Sequence, residues 1–223
     1  MRIRLTKYGL PQVAVFPSLI IAAMILCSIF LQGGLLIGAE VILAGLLVWV
    51  LSFFRDPYRV VPAEENILLA PADGKITDIE TVGEQDFICG QALKIGIFLS
   101  VFNVHINRAP CNVRVEKIVY KKGEYKDARD SQASRVNESN MLGLIRKDKP
   151  TDKLVVRQIS GAIARRIVCA AKEGQELTGG ERFGMIKFGS RTELYLPVNE
   201  RVKCLVKTGD KVKAGVTVLV RYE

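Results

Sequence analysis

Apolar and polar residues follow two regimes along this chain. From Tyr8 to Phe54 the only charge is Glu40, and Gln32-Gly33-Gly34 divides the apolar stretch into Val13 to Leu31 and Leu35 to Phe54. Wound as a helix at ~1.5 Å per residue, each half is about as long as the ~30 Å hydrocarbon core of a bilayer. Leu19, Ile20, Ile21, Met24, Ile25 and Leu26 cover every side of the first helix, whereas a helix lying in the interface needs a polar face. The pattern predicts a membrane-anchoring helical hairpin over residues 1–54. Pro17 and Glu40 leave a re-entrant hairpin open beside two full spans.

Beyond Phe54 the period changes. Arg55 to Pro62 carries two prolines and reads as an extended connector. Short apolar or alternating runs then follow, broken by glycine: Ile67 to Leu69, Lys75 to Val82, Ala92 to Leu99, Val113 to Tyr120, Leu154 to Ile159, Met185 to Phe188, Thr192 to Leu196, Val202 to Val206 and Val216 to Val220. Such runs predict an all-β sandwich or barrel over residues 55–223, with one or two short helices at most. Ala162 to Ala171 fits a helix or a strand equally. Lys126 to Asn140 is polar, has no apolar period and reads as a mobile loop.

Composition narrows the class. The chain has 223 residues, 49% hydrophobic and 25% charged, with a net charge of +9, which excludes intrinsic disorder, collagen-like repeats and a disulfide miniprotein. Arg2, Arg4 and Lys7 precede the apolar pair, and Arg55 and Arg59 follow it. The positive-inside rule therefore puts both ends, and the β domain, on the cytoplasmic side of a cell membrane. A cleaved signal peptide also begins with basic residues, but here the first run is long and a second follows at once. The positive balance suits an anionic leaflet. Nucleic acid is the other standard partner of a basic chain, yet no aromatic interleaving or basic helix supports it.

Cys27, Cys89, Cys111, Cys169 and Cys204 are odd in number, widely spaced and without a CxxC pair, so a reducing compartment is the simplest reading. His105 is the only histidine, which excludes a His-rich metal site, and no metal is expected.

Three places offer chemistry. Ala70-Pro71-Ala72-Asp73-Gly74-Lys75 is an Asp-Gly turn between apolar runs. Val101 to Pro110 holds His105 among Asn103, Asn107 and Arg108, and a lone histidine at a strand end is more often structural than catalytic. Phe183 to Arg191 places Ser190 after a glycine, outside the Gly-x-Ser-x-Gly elbow of hydrolases. Taken singly, each fits an ordinary turn or strand end.

Together, FRDPYRVVP, APADGKI, FNVHINRAP, ARRIV and above all ERFGMIKFGSRTELYLP resemble the phosphatidylserine decarboxylase proenzymes, in particular the short bacterial and archaeal type with Phe-Gly-Ser at the processing site. The resemblance runs from about Phe54 to the C-terminus. It implies that the Gly189-Ser190 bond breaks without a protease, giving a β chain of residues 1–189 and an α chain of residues 190–223. The two stay together as a heterodimer, whose higher oligomeric state the sequence leaves open. Ser190 is converted to a pyruvoyl group, the covalent cofactor, which takes phosphatidylserine as a Schiff base and releases CO2 to leave phosphatidylethanolamine.

The residue types suit that chemistry. Ser190 Oγ must attack the Gly189 carbonyl and needs a base; His105 is the only imidazole available, and Asp73 is the proposed orienter. Longer relatives often carry another histidine three residues upstream, where this chain has Phe102. One rival is a non-enzymatic hammerhead carrier or membrane adaptor, with Lys187 as the modified residue. The other is a serine hydrolase built on the same three residues.

Overall fold

The computed structural model describes residues 4–130, 132–162, 166–187 and 189–223. They form two compact units, Met1–Pro57 and Tyr58–Glu223.

The first unit is the apolar hairpin. Helix α1 (Leu10–Phe30) and helix α2 (Gly33–Phe53) are each long and apolar enough to cross a membrane. Pro11 lies in the first turn of α1, where no amide partner is lost, while Pro17 stands inside the helix. The chain reverses through extended Leu31 and Gln32 into Gly33, whose φ is +59°. The two open ends are closed against each other. Strand β1 (Arg4–Leu5) pairs with β2 (Arg55–Asp56), Thr6 N–H donates to the Phe54 carbonyl at 2.9 Å, and the Phe53 and Phe54 rings meet edge to face at 5.1 Å. Entry and exit of the hairpin therefore lie on the same side.

The second unit is built of antiparallel strands. In chain order they are β3 (Ile67–Leu69), β4 (Gly74–Glu84), β5 (Gly90–Leu99), β6 (Ile106–Arg108), β7 (Val113–Lys121), β8 (Ser139–Arg146), β9 (Lys153–Ile159), β10 (Arg166–Cys169), β11 (Glu176–Leu177), β12 (Arg182–Lys187), β13 (Ser190–Pro197), β14 (Val202–Cys204), β15 (Lys211–Val212) and β16 (Val218–Tyr222). The main sheet runs β11-β7-β8-β9-β13-β5-β4-β15, flanked by two three-stranded sheets, β10-β12-β6 and β14-β16-β3. Alternating Ile76, Ile95, Ile97, Leu99, Val113, Val115, Leu142, Leu144, Leu154, Val156, Leu194 and Leu196 fill the core, with Phe183 and Leu219 from the smaller sheets.

The all-β expectation for this unit holds, and so does the apolar hairpin before it. Residues 166–169 resolve the helix-or-strand ambiguity as strand β10; residues 163–165 and Phe188, inside two of the expected segments, lie outside the described residues. The polar segment 126–140 differs from the expected loop. It contains a short helix α3 (Ala133–Val136) and the start of β8, and buried Asn137 ties it down: its amide donates to the carbonyls of Lys126 at 2.8 Å and Ser160 at 2.9 Å. A polar stretch can be well anchored when its hydrogen bonds are made internally.

Candidate active site

Ser190 opens β13, the strand between β9 and β5, with its Cα partnered to Leu99. The preceding strand β12 belongs to a different sheet, so the chain changes sheets between Lys187 and Ser190. Gly189 makes that step with φ +64°, a left-handed backbone that suits glycine. Ser190 is fully buried, and its Oγ has no hydrogen-bond partner among the described residues. A buried hydroxyl without a partner is uncommon and calls for an explanation.

His105 reaches the same corner from the turn after β5. Asn103 closes that turn, its Oδ1 accepting from Ser100 N–H at 2.9 Å and from Ser100 Oγ at 2.8 Å. This presents the Asn103 carbonyl to His105 Nδ1 at 2.9 Å. On the other side of the ring, Gly189 N–H donates to Nε2 at 3.3 Å. The two contacts suit the tautomer with the proton on Nδ1, in which the Nε2 lone pair accepts from the Gly189 amide. The ring is fully buried, and the His105 carbonyl accepts from Ile186 N–H at 3.2 Å. Ile186 and Gly189 thus each donate a backbone hydrogen bond to the histidine, one to its carbonyl and one to its ring.

Asp73 sits in the Asp-Gly turn before β4. Its Oδ2 accepts from Arg59 at 2.7 Å and its Oδ1 from Ala214 N–H at 2.8 Å. The Pro71 carbonyl accepts from Arg108 N–H at 2.9 Å, which lays this turn beside the strand that follows His105. The structure thus brings Asp73 to the same end of the fold as Ser190 and His105. At Nδ1, where an orienting carboxylate would bind, the ring meets the Asn103 carbonyl, while Asp73 holds Arg59 and the Ala214 amide.

Three further features bound this corner. A Cβ placed on Gly161 would lie 2.4 Å from the Gly189 carbonyl oxygen and 3.2 Å from its carbon, so the bare backbone at 161 forms the wall behind that carbonyl. Nothing in Ser160-Gly161 distinguishes this glycine from any other after a strand. A buried amide chain also links the strands: Asn140 donates to Gln158 Oε1 at 3.0 Å, Gln158 to Asn107 Oδ1 at 2.9 Å, and Asn107 to Thr192 Oγ1 at 3.0 Å. It fixes β6, next to His105, against β13, which begins at Ser190. The remaining neighbour is Arg191, which binds Glu193 Oε1 at 2.7 Å and Thr77 Oγ1 at 2.8 Å and pairs with Asp78. Burial pushes the Asp78 carboxyl up, but the Arg191 and Thr77 hydrogen bonds outweigh it and hold it below its ordinary value.

Lys187 is 5% exposed, a poor situation for a carrier lysine that must meet a modifying enzyme. Among the described residues, no group of His, Cys, Asp and Glu side chains is arranged to hold a metal ion, and the five cysteines are free.

The sequence profile of a family described as phosphatidylserine decarboxylase matches residues 46–220. A phosphatidylserine decarboxylase proenzyme of Desulfotalea psychrophila is 47% identical over 171 residues, 77% of this chain and 78% of that protein. One of Carboxydothermus hydrogenoformans is 46% identical over 80% of this chain and 82% of its own. One of a Geobacter species is 42% identical over 95% and 93%.

Proposed function

Because the chain belongs to the phosphatidylserine decarboxylase family, a family of proenzymes, we propose that it cuts itself between Gly189 and Ser190 and then decarboxylates phosphatidylserine at the new end. The observation that carries this reading is the corner around the Gly189-Ser190 bond: a left-handed glycine, a buried serine hydroxyl without a partner among the described residues, and the chain's one imidazole, whose Nε2 accepts from the Gly189 amide.

His105 takes the proton from Ser190 Oγ as the oxygen adds to the Gly189 carbonyl. Collapse breaks the C–N bond, returns the proton to the Ser190 nitrogen and leaves an ester between Gly189 and the serine oxygen. Loss of the Ser190 α-proton then expels the Gly189 carboxylate and leaves dehydroalanine. Water converts this to a pyruvoyl group with release of ammonia. The Asn103 carbonyl holds the ring by Nδ1. Asp73, paired with Arg59 and the Ala214 amide at the same end of the fold, is the third member of the proposed set.

The pyruvoyl carbonyl supplies an electrophile for the substrate amine and a sink for the electrons released with CO2. Such a group would stand at the buried head of β13, next to the Gly189 amide that contacts His105. His105 is also placed to return a proton to the carbon that loses CO2. Helices α1 and α2 would hold the catalytic unit at an anionic membrane on its cytoplasmic side, where a lipid headgroup is met at the interface.

Intact-mass spectrometry of the purified protein tests the reading. The expected result is two chains, 1–189 and 190–223, the smaller blocked at its N-terminus. A single unmodified chain, or a free Ser190 labelled by a fluorophosphonate, would overturn it.

A further inference from the structure

Two rows of buried polar side chains cross the main sheet side by side, and only one of them is satisfied. In the register of β8, β9 and β13, Asn140 stands opposite Gln158 and Gln158 opposite Thr192, and hydrogen bonds among these residues and Asn107 close the row. Two residues along each strand, toward Gly189, lie Glu138, Ser160 and Ser190, on the same face by the two-residue period of a strand. Ser160 N–H donates to the Glu138 carbonyl at 2.9 Å, one step past the last β8–β9 pair, Ser139 with Ile159. Between β9 and β13 the last pair is Ile159 with Arg191, and a Cβ on Gly161 would meet the Gly189 carbonyl oxygen at 2.4 Å, so Ser160 lies beside Ser190. All three residues are buried, and in each an oxygen lacks a hydrogen-bond partner among the described residues: Glu138 Oε2, Ser160 Oγ and Ser190 Oγ. The other Glu138 oxygen accepts from the hydroxyl of exposed Tyr120 at 2.8 Å. Self-cleavage gives the Ser190 hydroxyl a task and leaves the other two without one.

Resting on the reading that this chain decarboxylates phosphatidylserine, we propose that Glu138, acting across the Ser160 hydroxyl, moves the protons when the substrate amine joins the pyruvoyl carbonyl. That carbonyl would stand on the α carbon of Ser190, so the groups in register with Ser190 are the ones beside the incoming amine. Directly opposed Cβ atoms lie ~4.5–5.5 Å apart and the next strand ~4.8 Å beyond, which places Ser160 at the reacting carbon and Glu138 one strand further out. The amine arrives as an ammonium and adds only after giving up a proton. The carbonyl oxygen leaves as water only after gaining two. Since the nitrogen sheds two protons in all, a carboxylate that takes them from nitrogen and delivers them to oxygen ends as it began, and no co-reactant is needed. The Ser160 hydroxyl, which can donate and accept at once, spans the strand between them. Before reaction, the carboxylate also attracts the ammonium.

The test compares wild type, Glu138→Gln, Glu138→Asp and Ser160→Ala as full-length protein. Self-cleavage is read by intact mass, and amine addition by reductive trapping of phosphatidylethanolamine on the 190–223 chain with cyanoborohydride in mixed micelles. Phosphatidylethanolamine carries the ammonium but no carboxylate to lose, so trapping reports addition apart from decarboxylation. Glu138→Gln keeps an oxygen for the Tyr120 hydroxyl and is expected to cleave normally, with the trapping rate lowered about a hundredfold. Glu138→Asp, which keeps the carboxylate, should recover part of that rate. Hydroxylamine, uncharged near neutral pH, should label the 190–223 chain of every variant to completion, showing that the carbonyl is formed and reachable.

Trapping within about threefold of wild type in a cleaved Glu138→Gln protein would overturn the proposal. So would a folded but uncleaved Glu138→Gln protein, which would move the carboxylate to the cut, and a cleaved one that hydroxylamine fails to label, whose defect would be structural. If Glu138→Gln does not fold, Ser160→Ala, which deletes only a hydroxyl, decides on the same criterion. Wild-type protein that neither cleaves nor decarboxylates would instead defeat the underlying functional reading.

Discussion

The backbone amide of Gly189 donates to Nε2 of His105 at 3.3 Å, across 84 residues of sequence. The only histidine in the chain is thereby held against the amide of the residue that precedes the serine. The same contact keeps Nε2 unprotonated, as a base must be before it acts. The proposed proton transfer from Ser190 Oγ requires Nε2 to exchange this amide for the serine hydroxyl.

Ser190→Ala should leave one uncleaved chain without decarboxylase activity, as read by gel and by CO2 release. It should fold at least as well as wild type, because it deletes a buried hydroxyl that bonds nothing. The expected stability change lies between zero and a gain of about 1 kcal/mol. A clear loss in a thermal melt would show that the hydroxyl has a structural partner.

His105→Ala should abolish cleavage, and Asp73→Ala should slow it to a lesser degree. The difference follows from the hydrogen bonds, since Nδ1 is held by Asn103 and survives the loss of Asp73. Pulse-chase measurement of cleavage half-times would rank the two. Equal defects would place Asp73 directly in the proton path.

Gly161→Ala should slow cleavage by about a hundredfold, the order expected when a reacting group is displaced by an ångström. The added methyl would meet the Gly189 carbonyl oxygen at 2.4 Å, so either the carbonyl or the strand end must move. Gly90→Ala is the control, since a Cβ there meets nothing within 4 Å. If both variants mature at the wild-type rate, residue 161 does not bound the reacting carbonyl.

Removal of residues 1–57 should release the protein from vesicles in a flotation assay while leaving self-cleavage intact. The remaining residues form a compact unit by themselves, and Ser190, His105, Asp73 and Arg59 all belong to it. Retained membrane binding would assign the anchor to the β unit.

Much of this architecture is written in periodicity. The apolar hairpin is legible because its residues have no polar face, and β5 and β13 because Ala92 to Leu99 and Thr192 to Leu196 are short runs dominated by apolar side chains. Strand β8 is not, since Ser139 and Asn140 are polar yet buried, satisfied by neighbours that only the fold supplies. Strand β6 is hidden for the same reason, because Asn107 is paid for by Gln158 and Thr192 from distant segments. At the site, Ser190 and His105 could be named from motif and from the scarcity of imidazole. Gly161 and the Asn103 carbonyl could not, because backbone atoms act there and no side chain announces them.

The sheet order gives the proposed cut a lasting consequence. The segment 190–223 supplies β13 to the middle of the main sheet, β15 to its edge, and β14 and β16 to a smaller sheet. A fragment threaded through two sheets in this way is not released when its covalent link is severed. Refolding is another matter. Once separated, the two pieces would have to find each other by diffusion, without the linkage that first set their alignment. The mature protein would then keep its form as an inheritance from the precursor, and a single complete denaturation should be irreversible.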